Sequence, residues 1–300
     1  MIRDPPAPLV PDGARVEFLE HRGGRVRLLR GGPAAADGAV PLVLVHGGGP
    51  DHAGISWSPV FAALARDRAV LAFDLPGSGA TTGVPIDGRP TALADLAVAV
   101  ARAAGVPRAV WAGVSMGGDV VLNVALRHPG AVAGLVLVAP AGLVARAGSR
   151  VLHPFAWLVT RLPDPVLRPL VRCANRFTGA ALRAAVHAPD GMPSHLRDAV
   201  VREARRPDAA LGYLRYNQAT LGPWRMRNDL TSRVGEIDAP ALLLHGRHDR
   251  LVPLRGSVVA AATMRRARLV PVDGCGHWVQ VERPGTFLTE VAHFLRTLPV

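Results

Sequence analysis

Six apolar runs punctuate this chain: PLVLVHGGG, AVLAFDLPG, AVWAGVS, GLVLVAPAG, PALLLHGRHD and ARLVPVDGCGH. Each is apolar nearly throughout and runs into a loop rich in Gly, Pro, Asp or His, the pattern of a strand buried on both faces. Alanine-rich stretches with helical spacing fill the gaps; TALADLAVAVARAAG is expected to open on its Thr as a cap and to close at its Gly. Near the start, ARVEFLEHRG and RVRLLRGG read as an opening antiparallel pair. Strands alternating with helices predict an α/β fold, a mostly parallel sheet with helices on both faces. Ligands of such sheets gather beyond the carboxyl ends of the strands, so the loop residues quoted above are expected to share one rim.

The alternation stops between residues 145 and 233. This stretch holds arginine-rich amphipathic pieces broken by prolines, including VLHPFAWLVTRLPDPVLRPLV and SHLRDAVVREARRPDAALGYLRYN. Strand-like sequence resumes at Ala239. The chain therefore reads as a core of residues 1–144 and 234–300 with a helical insertion, 145–233. A cap over the rim is the expected placement, and side helices packed away from the rim are the alternative.

The stretch AGVSMGG carries the chemistry. A serine on a tight turn from strand to helix needs neighbours without bulky Cβ groups, and Gly113 and Gly117 stand two residues either side of Ser115. The turn places Ser115 at a helix N-terminus, where the free N–H of Met116 can donate to an oxyanion. A serine hydroxyl needs a base, and the base an orienting acid. His277 in GCGHWVQVE follows the last strand and is the candidate base; among eleven histidines, His128 and His293 fall in helical stretches and His153, His187 and His195 in the insertion. Asp249 in HGRHDRLVP is the candidate acid, because the strand after the serine ends in APAG and offers none. The order Ser, Asp, His, each beyond a strand, is that of an α/β-hydrolase.

Through HGGGP, DLPGSGAT, GVSMGG, HGRHDRLVP and GCGHW, the chain resembles the α/β-hydrolase superfamily over almost its full length. Within it, HGGGP, RVGEIDAPALLLHGRHDRLVP and CGHWVQVERPGTF are most similar to the meta-cleavage-product hydrolases, which cleave a carbon–carbon bond in vinylogous diketones. The resemblance implies that Gly48 N–H completes the oxyanion hole with Met116, flanked by Gly47 and Gly49 in a run that lets backbone approach a substrate carbonyl. It also implies that Trp278 lines the pocket; a core tryptophan covering the last helix is the alternative. A cap arginine that binds a substrate carboxylate is implied too, and Arg197, Arg202, Arg205 and Arg206 are available, with Arg202 taken as the candidate. Val252 joins Trp57, Trp157, Leu158, Trp224 and Trp278 as expected walls of an apolar pocket. Two positions depart from the pattern: relatives commonly carry Asn where this chain has Val114, and another Asn where it has Ser58 and Pro59.

Composition narrows the partners. All 35 basic residues are arginine, and the formal charge is +12. The basic clusters REARRP and MRRAR are short and lack interleaved aromatics, the pattern of solvated helix faces, so no nucleic acid is expected. Two cysteines, Cys173 and Cys275, form no metal or disulfide spacing. His245, His248 and Asp249 lack a carboxylate at matching spacing, and HGGGP lacks the G-K-[ST] of a phosphate loop, so neither metal nor cofactor is expected. Asp119 reads as a first-turn acid favoured by the helix dipole, Asp74 as a support for loop backbone, and Cys275 as a small wall residue. The start, MIRDPPAPLVPDGAR, lacks an apolar leader, and a cytoplasmic chain without membrane partners is expected, with a homodimer as one assembly. The expected activity is a serine hydrolase cleaving an activated C–C bond or an ester-like bond of a hydrophobic or aromatic-derived small molecule. A carboxylesterase or lactonase is the alternative within that class. A cofactor-free tailoring enzyme or ligand-binding protein on the same fold is the alternative outside it.

Overall fold

The computed structural model describes residues 7–33, 39–146, 148–188 and 192–298; residues 1–6, at the start of the stretch read above for a leader, lie outside it. In chain order the elements are β1 (Arg15–His21), β2 (Gly24–Gly31), β3 (Leu42–Val45), α1 (Ala53–Leu64), β4 (Val70–Phe73), α2 (Pro90–Ala103), β5 (Ala109–Val114), α3 (Met116–Arg127) and β6 (Val132–Val138). Then come α4 (Leu152–Thr160), α5 (Asp164–Asn175), α6 (Thr178–Ala185), α7 (Ser194–Ala204) and α8 (Leu211–Thr220). β7 (Ala241–Gly246), α9 (Leu254–Thr263), β8 (Ala267–Val272), α10 (Val279–Glu282) and α11 (Pro284–Arg296) complete the chain.

All eight expected strands form, and they make one sheet in the order β1-β2-β4-β3-β5-β6-β7-β8. β1, β2 and β4 pair antiparallel, and every later pairing is parallel. The uniform apolarity of the inner strands follows from burial on both faces. Along β3, Val43 and Val45 enter one core cluster while Leu42 and Leu44 enter the other. β7 divides in the same way, with Leu243 on one side and Leu242 and Leu244 on the other. α2 and α3 cover the first face, and α1 and α11 the second.

The segment without strands contains the five helices α4 to α8, placed between β6 and β7. Some local expectations change. Thr91 does not cap α2: the helix starts one residue earlier, with Pro90 in its first turn and Arg89 as an N-cap without a side-chain bond. Pro90 has no N–H to satisfy and a φ already suited to the first helical position, so the proline decides the start. His128 stands just past α3 and bonds Asp95 at 2.7 Å.

Candidate active site

Ser115 joins β5 to α3 with φ 54° and ψ −119°, a left-handed backbone that costs a non-glycine residue about 1–3 kcal/mol. Its neighbours explain how the turn is held. A Cβ on Gly117 would lie 2.4 Å from Val45 O and 2.5 Å from His46 O, and one on Gly113 would lie 2.3 Å from Gly117 O. Only hydrogen atoms at both positions let the start of α3 press against the ends of β3 and β5. Ser115 N donates to Val138 O at 3.0 Å, and Ser115 O accepts from Gly118 N and Ala141 N. Its hydroxyl forms no hydrogen bond among the described residues, so it stands unengaged at the N-terminus of α3.

The glycine run lies beside it. A methyl group on Gly47 would sit 3.6 Å from Ser115 Cβ. His46 orients the run: its Nε2 accepts from Leu75 N at 2.9 Å, so its Nδ1 carries the proton and donates to Gly47 O at 2.7 Å. Because the Gly47–Gly48 peptide is trans, this bond aims Gly48 N–H away from the His46 ring. Asp51 holds the other end, accepting from Gly47 N at 2.9 Å, Ser56 Oγ at 2.6 Å and His52 N at 2.8 Å. Burial raises the Asp51 carboxyl from its ordinary range, and those donors oppose the rise. Gly49 adopts φ +87° in open space.

His277 and Asp249 form the second half. His277 Nδ1 lies 2.7 Å from Asp249 Oδ2, and both side chains are buried. Burial alone would raise the Asp249 carboxyl; hydrogen bonds from His245 and His277 and from Val252 N–H overcome it and hold the group well below the ordinary carboxylate range. Val252 thus acts through its backbone: its N–H donates to Asp249 Oδ1 at 3.0 Å and its carbonyl accepts from His245 Nε2 at 3.0 Å. Sequence reasoning weighed His245 only as a metal decoy. It is fully buried, its Nε2 stands 3.2 Å from the same Oδ2 that His277 uses, and its Nδ1 meets Ser257 Oγ at 2.8 Å. His248 instead stacks on His187 with ring centroids 4.1 Å apart.

Other supports went unread in the sequence. Glu282 accepts from Gly276 N, Trp278 N and His187 N at 2.7–3.2 Å, and so shapes the loop that carries His277. His277 N itself donates to Ala185 O, at the end of α6. Other helices between β6 and β7 also reach the rim loops. The Tyr213 ring on α8 lies so close over Gly48 that an added Cβ would come 2.1 Å from it. Glu203 on α7 accepts from Gly79 N at 3.1 Å. Trp278 packs against the second core cluster and also against a cluster of Leu182, Met192, Leu196, Ala199 and Val200, so it bridges core and insertion.

Several expected site residues stand elsewhere. Arg202 is exposed on α7; Arg197 and Arg206 are half-buried, and Arg206 stands 3.4 Å from Glu203 and close enough to act on His52. A helix that buries Leu196, Val200 and Glu203 turns position 202 outward, while Arg206 lies in the bend beyond the end of α7 and is not bound by that periodicity. Trp57 is a core residue, tilted on Phe287 at 6.2 Å, because α1 buries that side against α11. Leu158 and Trp224 face solvent. Asp119 is more than a dipole acid: wholly buried, it receives hydrogen bonds from Asn123, Tyr216 and Asn228 at 2.6–3.0 Å. Burial lifts its carboxyl to about 6 despite those donors. Asp74 supports backbone as expected, accepting from Ala53 N, Ala80 N and the buried Arg27. Cys275 is buried, and burial pushes its thiol up to about 12.

Comparison with known proteins agrees with this architecture. Residues 40–284 match the α/β hydrolase fold family. The 2-hydroxy-6-oxo-6-phenylhexa-2,4-dienoate hydrolase of Burkholderia cepacia is 28% identical over 85% of this chain and 87% of its own length. The 2-hydroxymuconate semialdehyde hydrolase of Pseudomonas sp. (strain CF600) is 30% identical over 85% and 86%. An esterase from Rhodococcus sp. ECU1013 superposes with a TM-score of 0.73 at 26% identity, covering 96% of this chain and all of its own. With its parallel sheet, its strand-to-helix serine turn and these relatives, the chain belongs to the α/β-hydrolase fold family, is a hydrolase, and resembles the meta-cleavage-product hydrolases within that family.

Proposed function

We propose that the chain hydrolyses an activated carbon–carbon bond of the kind found in a 2-hydroxy-6-oxo-dienoate, with Ser115, His277 and Asp249 as its triad. The observation that carries this reading is the left-handed Ser115 at the head of α3, on the same rim as a buried His277–Asp249 pair. Asp249, held ionised, fixes the imidazole with Nδ1–H toward the carboxylate and leaves Nε2 for the substrate side. Ser115 Oγ adds to the carbonyl carbon, or activates a water that does so, as its proton passes to His277. The carbonyl electrons move onto oxygen, where the N–H groups of Gly48 and Met116 meet the charge. Collapse breaks the C–C bond, the departing carbon takes the proton from His277, and water releases any acyl group from the serine. α4 to α8 form the cap of this site, with Tyr213 over the glycine run and Trp278 at the seam.

An ester or lactone is the second reading, favoured by Val114 and Pro59 in place of polar side chains and by the likeness to the Rhodococcus esterase. The two separate in kcat/KM for 2-hydroxy-6-oxo-6-phenylhexa-2,4-dienoate and for a short p-nitrophenyl ester, each with wild type and Ser115→Ala. A preference for the dienoate by orders of magnitude that collapses in the variant supports C–C hydrolysis. Ester turnover alone, lost with Ser115, makes the chain an esterase.

A further inference from the structure

The inserted helices present an apolar face that nothing among the described residues covers. Val151, at the start of α4, and Leu152, Phe155 and Leu158 within it are 57–79% exposed, while His153 and Thr160 form the buried side. At 100° per residue the four exposed side chains share one side of the helix and the two buried ones lie opposite. α5 repeats the arrangement. Val166, Leu170 and Phe177 are 49–66% exposed and, with the exposed Cys173, recur at spacings of four, three and four along the helix and the turn after it, while Leu167 points inward. Trp224, also exposed, sits on a loop tied to the start of α4, where His153 Nε2 meets Gly222 O at 3.0 Å and Met226 N donates to Ala145 O.

The charge around this face is one-sided. From Arg146 to Arg183 the chain has seven arginines against a single acid, Asp164, which Arg168 and Arg215 already pair. Arg168 and Arg172 are exposed on α5 and Arg176 just past its end; at 100° per residue Arg176 borders the apolar stripe, while Arg168 and Arg172 lie toward the opposite side of the helix. An apolar strip bordered by arginine on a surface helix suits the boundary between lipid headgroups and acyl chains.

We propose that this face docks onto an anionic phospholipid surface, with the α4 and α5 side chains in the upper acyl region and the arginines on lipid phosphates. No helix among the described residues is long and apolar enough to cross a membrane, and lying on its surface requires none. A second copy of the chain is the competing occupant. A two-fold contact would set one arginine-rich face against another, whereas anionic headgroups bring counter-charge. The inference stands apart from the reaction at Ser115.

The test is sedimentation of the whole chain with sucrose-loaded vesicles, either phosphatidylglycerol mixed with phosphatidylcholine or phosphatidylcholine alone, at low and high salt. The expected result is retention on the anionic vesicles, weakened by salt and small on the neutral ones. Phe155→Glu with Leu170→Glu should lower partitioning roughly tenfold or more, since each removes an apolar side chain proposed to enter the acyl region. Arg150→Gln with Arg176→Gln should lower it chiefly on anionic vesicles. Both variants should keep the wild-type melting temperature. No retention at low salt, or retention indifferent to Phe155→Glu with Leu170→Glu, overturns the proposal. So does a dimer in light scattering that Phe155→Glu dissolves, in the absence of vesicle binding, because a second copy then covers the face.

Discussion

His277 and Asp249 are joined by a third side chain that motif reading passes over. His245 shares Asp249 Oδ2 with His277 and is itself anchored by Ser257 and Val252. It acts on the carboxylate, not on substrate. His245→Leu should therefore lower kcat with little change in KM, and His245→Gln, which keeps a donor, should recover part of the loss. Asp249→Asn presents the wrong hydrogen-bonding groups to the imidazole and should cost about 10⁴ in kcat. The two cysteines should differ equally clearly: a thiol reagent added to the native chain should modify exposed Cys173 and spare Cys275, whose thiol is buried and raised to about 12. Modification of two thiols per native chain would contradict that packing.

At the scale of elements, the site depends on how closely α3 approaches β3. Gly117→Ala drives a methyl group against the Val45 and His46 carbonyls, backbone that cannot turn aside. Overpacking of this kind costs about 1–3 kcal/mol, and the displaced helix should take the Ser115 hydroxyl and Met116 N–H with it, so activity should fall further than stability. Asp119 ties α3 to Tyr216 on α8 and to Asn228 beyond it. Its folded carboxyl keeps a proton up to about pH 6, against an ordinary value of 3.8, so its contribution to stability is complete below pH 3.8 and is lost as pH rises through 6. The stability of Asp119→Asn relative to wild type should therefore increase between pH 4 and pH 7, by up to about 3 kcal/mol, in urea titrations across that range. A difference independent of pH would mean that Asp119 is ionised throughout.

Across the whole molecule, what the sequence reveals depends on how far apart the interacting residues lie. The inner strands are legible because burial on two faces demands a continuous apolar run, and the serine turn is legible because its glycines sit within four residues of one another; the order β1-β2-β4-β3-β5-β6-β7-β8 comes from the structure. Tyr216 and Asn228 lie 97 and 109 residues from Asp119, so no local pattern announces their bonds. Glu282 serves the His277 loop from a short helix whose acid looks like any surface acid. Trp57 and Trp224 are alike in a sequence, yet one is fully buried on α1 and the other exposed on a loop, a difference set by which helix face meets α11. Among the arginines near α7 the differences in burial are equally hidden: Arg202 is on the helix and exposed, whereas Arg206 lies just past its end and is half-buried, and no local pattern marks where the helix stops.

The central claim is that one activated serine, Ser115, stands at the head of α3 beside its oxyanion donors. Intact-mass measurement with peptide mapping after treatment with a fluorophosphonate tests it most directly. The account predicts a single adduct on Ser115, absent in Ser115→Ala and slowed in His277→Ala. An unlabelled wild-type chain that is folded, or an adduct on any other residue, would contradict it.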